Sequence, residues 1–137
     1  MKCQMYCRYD DLTPYWVRWH ELGELWSRHY FGFLEASSLK YAYHKNWFKN
    51  GEDGQLHFQM GEIYFDPERE YINFHNGRHR TILLSSLLEV IPIAVDNTIL
   101  ESDLFERFLV RPIEKDEAIE LFDLEILSAN QLRQKHE

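Results

Sequence analysis

Three features of the sequence predict a small α+β domain, with a short mixed sheet flanked by helices. Apolar residues recur at helical spacing in two segments, one before residue 31 and one after Gly77. Between them, residues 56–74 alternate apolar and polar at the period of a strand, with an Asp66-Pro67-Glu68 turn inside the run. The chain has 137 residues, 45% of them hydrophobic, so it can bury one core and is too apolar to stay disordered.

Taken in order, Thr13-Pro14 reads as a helix start, Thr as N-cap and Pro at the first helical position. Trp16, Trp19, Leu22, Trp26 and Tyr30 then give one aromatic face, which is read as core. A second short helix is expected after a cap at Ser37 or Ser38, ending at the glycines near residue 51. "QLHFQM" is a half-buried strand, and "GEIYF" with "REYINF" forms a hairpin across Asp66-Pro67-Glu68. Ile82, Leu83, Leu87 and Leu88 mark the helix after Gly77. "VIPIAV" is a buried strand in which Pro92 implies a strand start or an edge position. From about residue 98 the chain reads as a helical extension of one domain spanning 1–137, with a break at Arg111-Pro112.

Composition narrows the function classes. The net charge of -8 disfavours duplex DNA, whose binding depends on Lys and Arg neutralising phosphates. No apolar run approaches the roughly 20 residues of a membrane span, and "MKCQMYCRYDD" lacks an export-signal pattern, so a cytoplasmic address is expected. Cys3 and Cys7 are the only cysteines and read as packing residues, their C-x-x-x-C spacing being a poor metal signature. His75 and His79 are four apart, but with Gly77 between them at a strand-helix junction they would not share a helical face as a metal pair does. Acidic residues crowd the stretch from Asp96 to Glu125, either as a solvated helical face or as a surface for a basic partner.

The chemistry concentrates at "FHNGRHRTILL", where an extended run gives way to a helical one. A strand entering a helix through Asn76-Gly77 aims free backbone N–H groups, and the positive end of the helix dipole, above the corner. Gly77 permits a left-handed backbone, and Arg78 and Arg80 can form charge-assisted bonds to oxyanions. Asn76, Gly77, Arg78, His79, Arg80 and Thr81 are therefore the candidate phosphate-binding residues. His79 could also serve as a general acid. An equally weighted alternative is an ordinary turn whose arginines pair with nearby acids.

The order "WVRWHELGELW", "LKYAYHKNWF", "GEIYFDPEREYINF", "NGRHRTILL" and "IPIAV" resembles the ParB/sulfiredoxin-like fold family, nearest to plasmid fertility-inhibition factors and related small bacterial proteins. The likeness covers roughly residues 13–95. It implies a phosphate-holding box at the corner, a nucleoside triphosphate with magnesium as the ligand, and inhibition of conjugative DNA transfer through a secretion component. The chain departs from the family at Arg78, where sulfiredoxins have their reactive cysteine and ParB proteins a glutamate. Peroxiredoxin repair and a ParB-type DNA clamp are therefore not expected. Weak nucleotide hydrolysis and a purely non-catalytic role both stay open, since no carboxylate is evidently placed to activate water. The rival class is an immunity protein or antitoxin that binds a toxin through Glu114, Asp116, Glu117 and Glu120.

Overall fold

The computed structural model describes residues 1–28 and 42–136, an α+β arrangement of mixed sheets and short helices. Tyr30, Ser37 and Ser38, which figure in the expected helices, lie outside the described residues. Strands β1 (Lys2–Tyr6) and β2 (Thr13–Arg18) precede helix α1 (Trp19–Ser27). After residue 42 come β3 (Tyr43–His44), a 3-10 turn (Lys45–Trp47), β4 (Phe48–Asn50), β5 (Leu56–Gln59), β6 (Gly61–Asp66) and β7 (Tyr71–Asn76). Helix α2 (Arg78–Ser85) and β8 (Val90–Val95) follow, then α3 (Asn97–Leu100), α4 (Phe105–Phe108), β9 (Leu109–Pro112), β10 (Ala118–Glu120), β11 (Ile126–Leu127) and α5 (Ala129–His136).

A five-stranded sheet has the order β7-β6-β8-β2-β9, and a four-stranded sheet the order β10-β1-β5-β4. Pairing is antiparallel except for β6 with β8 and β1 with β5. A two-stranded parallel pair joins β11 to β3. The run from Leu56 to Asp66 changes sheets at Met60, whose N–H still bonds the Tyr6 carbonyl at 3.0 Å before β6 turns to pair with β7 and β8. The core packs Val17, Ile63, Ile72, Ile91, Ile93 and Val95 of the five-stranded sheet with Leu22, Leu25, Phe58, Leu83, Leu84 and Phe108.

The expected hairpin, the strand at 56–59 and the helix after Gly77 are all present. The expected helix start at Thr13-Pro14 is instead the start of strand β2, and α1 begins at Trp19. Residues 13–18 carry Tyr, Trp and Val, good strand formers, and they pair on both sides, with β8 and with β9. The expected helix up to residue 50 is, from residue 42 on, two short strands around one 3-10 turn. Pro92 lies neither at an edge nor at a strand start, since β8 sits between β6 and β2. The β6 ladder begins at Ile93, just after it, so over Val90–Pro92 only β2 is paired and the missing N–H is tolerated.

The segment after residue 98 is not a purely helical extension. Strands β9 and β10 add edges to the two larger sheets, and only short helices remain around them. A polar clamp holds this region. The Glu117 carboxylate takes a bidentate contact from the Arg111 guanidinium, accepts the Trp16 indole N–H at 3.0 Å and accepts the Glu114 N–H at 2.9 Å. The Arg111 contact, with these hydrogen bonds, holds the Glu117 carboxyl down at about 2. A carboxylate depressed on folding contributes stability that is complete above its ordinary range and is lost as pH falls through its folded value. Melting temperature is thus expected to drop between about pH 4.5 and about 2, and to drop less steeply in Glu117→Gln, as thermal melts across that interval would read. Equal slopes for the two proteins would mean that the clamp does not persist in solution.

Candidate functional site

Gly77 joins β7 to α2 in the left-handed region, at φ 85° and ψ 21°. The corner lies directly on β6, because Gly61 there also lacks a side chain. A Cβ at Gly61 would stand 2.2 Å from the Thr81 hydroxyl, and one at Gly77 only 2.7 Å from the Gly61 Cα. This contact of two glycines sets the height of α2 over the sheet. Gly61 was not singled out from the sequence, although a glycine opening a strand commonly marks close backbone approach.

The first intrahelical bond of α2 runs from the Thr81 N–H to the Gly77 carbonyl at 3.1 Å, and the Thr81 hydroxyl donates to the same oxygen at 2.8 Å. Backbone N–H groups ahead of Thr81 have no intrahelical acceptor, as in any helix start. Beside this helix start lies a groove of about 570 Å³ lined by Trp47, residues 73–76 of β7, Gly77, Arg78, His79 and Arg80. Among the described strands, β7 is at an edge of the five-stranded sheet, and four of its consecutive residues line the groove.

The six sequence candidates divide. Asn76, Gly77, Arg78 and His79 line the groove, with Arg78 and His79 exposed. Thr81 does not: it is 1% exposed and its hydroxyl closes the first turn. Arg80 lines the groove yet is only 6% exposed. Its guanidinium folds beneath the corner, donating to Asn76 Oδ1 and to the Met60 carbonyl, each at 3.1 Å. Thr81 and Arg80 therefore build the corner, and the expectation that Arg80 is an open ligand gives way to a structural role. Its buried Nε has no partner among the described residues. Burial, partly offset by Glu62, pulls the Arg80 pKa down to about 10, which leaves it cationic at neutral pH.

Glu62 is the counter-charge, and sequence reasoning passed over it. It is 1% exposed, on the strand beside Asn76, with one carboxylate oxygen 3.0 Å from Arg8 and the other without a partner among the described residues. A carboxylate between apolar strand residues in "MGEIYF" was the available signal.

The hydrogen-bond inventory of the groove is one-sided. Asn76 Oδ1 is taken by Arg80, and Asn73 Oδ1 accepts from the Trp26 indole at 3.2 Å and from the Phe74 N–H at 2.8 Å. Those donors fix both amides so that their NH2 groups remain as donors. Among the described residues, no carboxylate lines the groove, in a chain with 23 acidic side chains. Burial, then the Arg78 charge, lowers the His79 pKa, so a neutral ring is the resting form. His75 stacks on Tyr64 with ring centroids 4.0 Å apart.

Elsewhere, the acidic candidates separate. Glu117 is held in the Arg111 clamp, and Glu120 pairs with the N-terminal ammonium at 3.1 Å. Glu114 and Asp116 are exposed, whereas Phe108 and Leu121 are core and Phe122 is half exposed. Both cysteines are free thiols, and burial pushes Cys7 up to about 11. Among the described residues, no group of three metal-ligating side chains occurs, and no helix is long and apolar enough to cross a membrane. Searches of protein-family models, curated proteins and solved structures each found no match to this chain.

Proposed function

We propose that the protein binds a phosphate-bearing ligand in the groove at the start of α2, as a cytoplasmic binding protein of the ParB/sulfiredoxin-like type. The observation that carries this is the one-sided groove: among the described residues, its lining brings Asn73, Asn76, the first turn of α2 and Arg78 together and includes no carboxylate. Such a donor array suits an oxyanion and repels nothing in it. Transfer inhibition in conjugation is the cellular role that the likeness to fertility-inhibition factors implies. It is open to a mating assay with Arg78→Ala. The immunity or antitoxin reading has less support, because Glu117 and Glu120 of its acidic surface are already engaged within the chain.

Calorimetry with inorganic tripolyphosphate, with and without magnesium, tests the site. Asn76→Asp is the informative variant. Its carboxylate can still accept from Arg80, so the fold is retained, but a donor is lost and a negative charge enters the groove. Binding is expected to fall at least about tenfold, since removing a charge-assisted partner costs upwards of about 1.4 kcal/mol. An anion raises the pKa of a neighbouring histidine, so His79→Ala should weaken binding chiefly at pH values below the ordinary histidine range. Tripolyphosphate that fails to bind at any pH would remove the reading.

A further inference from the structure

We propose that a second groove, between β4 and the start of α5, is a docking slot for an acidic extended peptide, which adds as a strand beside β4. No described residue lines both this groove and the one at α2, so the proposal stands apart from the anion reading.

The groove, of about 670 Å³, lies where two short sheets end. Among the described strands, β4 closes the four-stranded sheet with only β5 beside it, and β11 pairs only with β3. Phe48, Lys49 and Asn50 of β4 line the groove together with Ile126 of β11 and Gln131 of α5. At the end of a sheet, alternate residues turn their N–H and C=O groups away from the neighbouring strand, which is a template for one strand more. Extended peptides are taken up at such edges, backbone bonds giving affinity and side chains giving selectivity.

The lining selects for negative charge. Lys45, from the 3-10 turn, and Lys49 are both exposed, and among the described residues no carboxylate lines the groove. In a chain of net charge -8 this is a local inversion of sign. Neither lysine forms an ion pair among the described residues; Lys49 lies 4.0 Å from the Tyr6 ring centroid, a contact that leaves its charge unneutralised. Gln131 contributes a further donor. Its Oε1 accepts from the Ser128 N–H at 2.9 Å, and the Ser128 hydroxyl accepts in return from the Gln131 N–H at 3.3 Å. That reciprocal cap fixes the amide so that its NH2 group remains as a donor.

Register sets the pattern the peptide must carry. Phe48 and Asn50 stand opposite Phe58 and Leu56, so these four share one face of the sheet, and Lys49 with His57 takes the other. The first face is largely apolar, with the Phe48 and Phe58 rings 5.5 Å apart and Leu56 39% exposed. A strand laid beside β4 alternates in the same way, apolar side chains on the face of Phe48 and Leu56 and acidic ones on the face of Lys49. A nucleic acid strand fits less well, because it needs phosphates neutralised along its length and Lys45 and Lys49 are the groove's cations among the described residues. A second copy of the chain also fits less well. Glu117 and Glu120, at its own β10 edge, are already engaged by Arg111 and the N-terminal ammonium.

The test is fluorescence anisotropy of the full chain with labelled peptides of about eight residues, an ordinary strand length. One alternates glutamate with valine and one lysine with valine; two further glutamate–valine peptides are N-methylated, at every valine or at every glutamate. The glutamate–valine peptide is expected to bind about tenfold or more tighter than the lysine–valine one, and to weaken as salt rises. At least one methylated peptide should lose binding, since strand addition needs the N–H groups of one parity. Changing Lys45→Glu and Lys49→Glu together should abolish the preference; both positions are exposed, and an unchanged melting temperature would show that the fold is retained. Equal affinity for the acidic and basic peptides, no binding of the acidic one, or full binding of both methylated peptides would each overturn the proposal. So would an oligothymidylate that binds more tightly than the acidic peptide and displaces it, or a dimer in sedimentation that the double variant abolishes, since these assign the slot to nucleic acid or to a second copy.

Discussion

Replacing Arg80 with methionine is expected to destabilise the protein by roughly 2–4 kcal/mol, since each buried acceptor left without its donor costs about 1–3 kcal/mol. The substitution keeps an unbranched chain of similar length in the space beneath the corner, so the loss is electrostatic rather than a cavity. Three acceptors feel it: Asn76 Oδ1 and the Met60 carbonyl lose their donors, and Glu62 loses the more buried of the two cations near it. Arg8 remains at 3.0 Å from Glu62, but its side chain is 38% exposed and its charge is partly spent on water. A loss of this size is a large share of a typical domain's stability. Arg78→Ala, at an exposed position, should by contrast cost less than Arg80→Met. Urea denaturation of Arg80→Met, Glu62→Met and the double variant closes the cycle. The double variant should be more stable than Arg80→Met alone, because an apolar pair does not strand a carboxylate. An Arg80→Met protein with wild-type stability would mean that Glu62 is hydrated in solution and that the charges beneath the corner are uncoupled.

That role for Arg80 shows how far the sequence could be read. The strand-Gly-helix corner was legible because Asn-Gly between a period-2 run and a period-3.6 run is a local signal, carried by a few adjacent residues. The direction of each side chain was not, since it depends on what lies beneath. Arg80 and Arg78 look equivalent in "NGRHR", and only α2 geometry turns one inward toward Glu62 and leaves the other at the surface. Trp47 and Asn73 reach the groove through tertiary packing, with no spacing relation to the corner. The missed strands have a similar origin. Residues 13–18 and 109–112 carry aromatic and branched residues compatible with either a helix or a strand, and pairing across the chain decides: β2 lies between β8 and β9. Pairing between segments about 95 residues apart, as between Trp16 and Arg111, leaves no local trace. The hairpin was legible for the opposite reason, since its partners are neighbours across a proline turn.

Gly77→Val should be the most damaging single change at the corner that leaves all charges in place. Two separable costs contribute. At φ 85° a β-branched residue is strained by roughly 1–3 kcal/mol, whatever the surrounding space. Its Cβ would also meet the Arg80 Cζ at 2.5 Å and the Gly61 Cα at 2.7 Å, an overpacking of similar order. The guanidinium can shift, but only by giving up Asn76 or the Met60 carbonyl. The Gly61 backbone cannot shift without moving β6 away from β8. Gly77→Ala meets the same Cβ contacts with a milder backbone cost, and Gly77→Asn tolerates the left-handed region best, so stability should follow the order Gly, Asn, Ala, Val. If the contact with Arg80 contributes, Gly77→Val and Arg80→Met will couple, and the double variant will be less destabilised than the sum of the two. Additive losses would assign the whole cost to the backbone and to Gly61. Anion affinity gives a second readout on folded Gly77→Ala: α2 must rise from the sheet to admit the methyl group, which moves the His79 and Arg80 N–H groups relative to Asn76. Tripolyphosphate binding should therefore weaken more than the modest stability loss alone would produce. Unchanged affinity would mean that the donors need not keep this geometry and that charge alone holds the ligand.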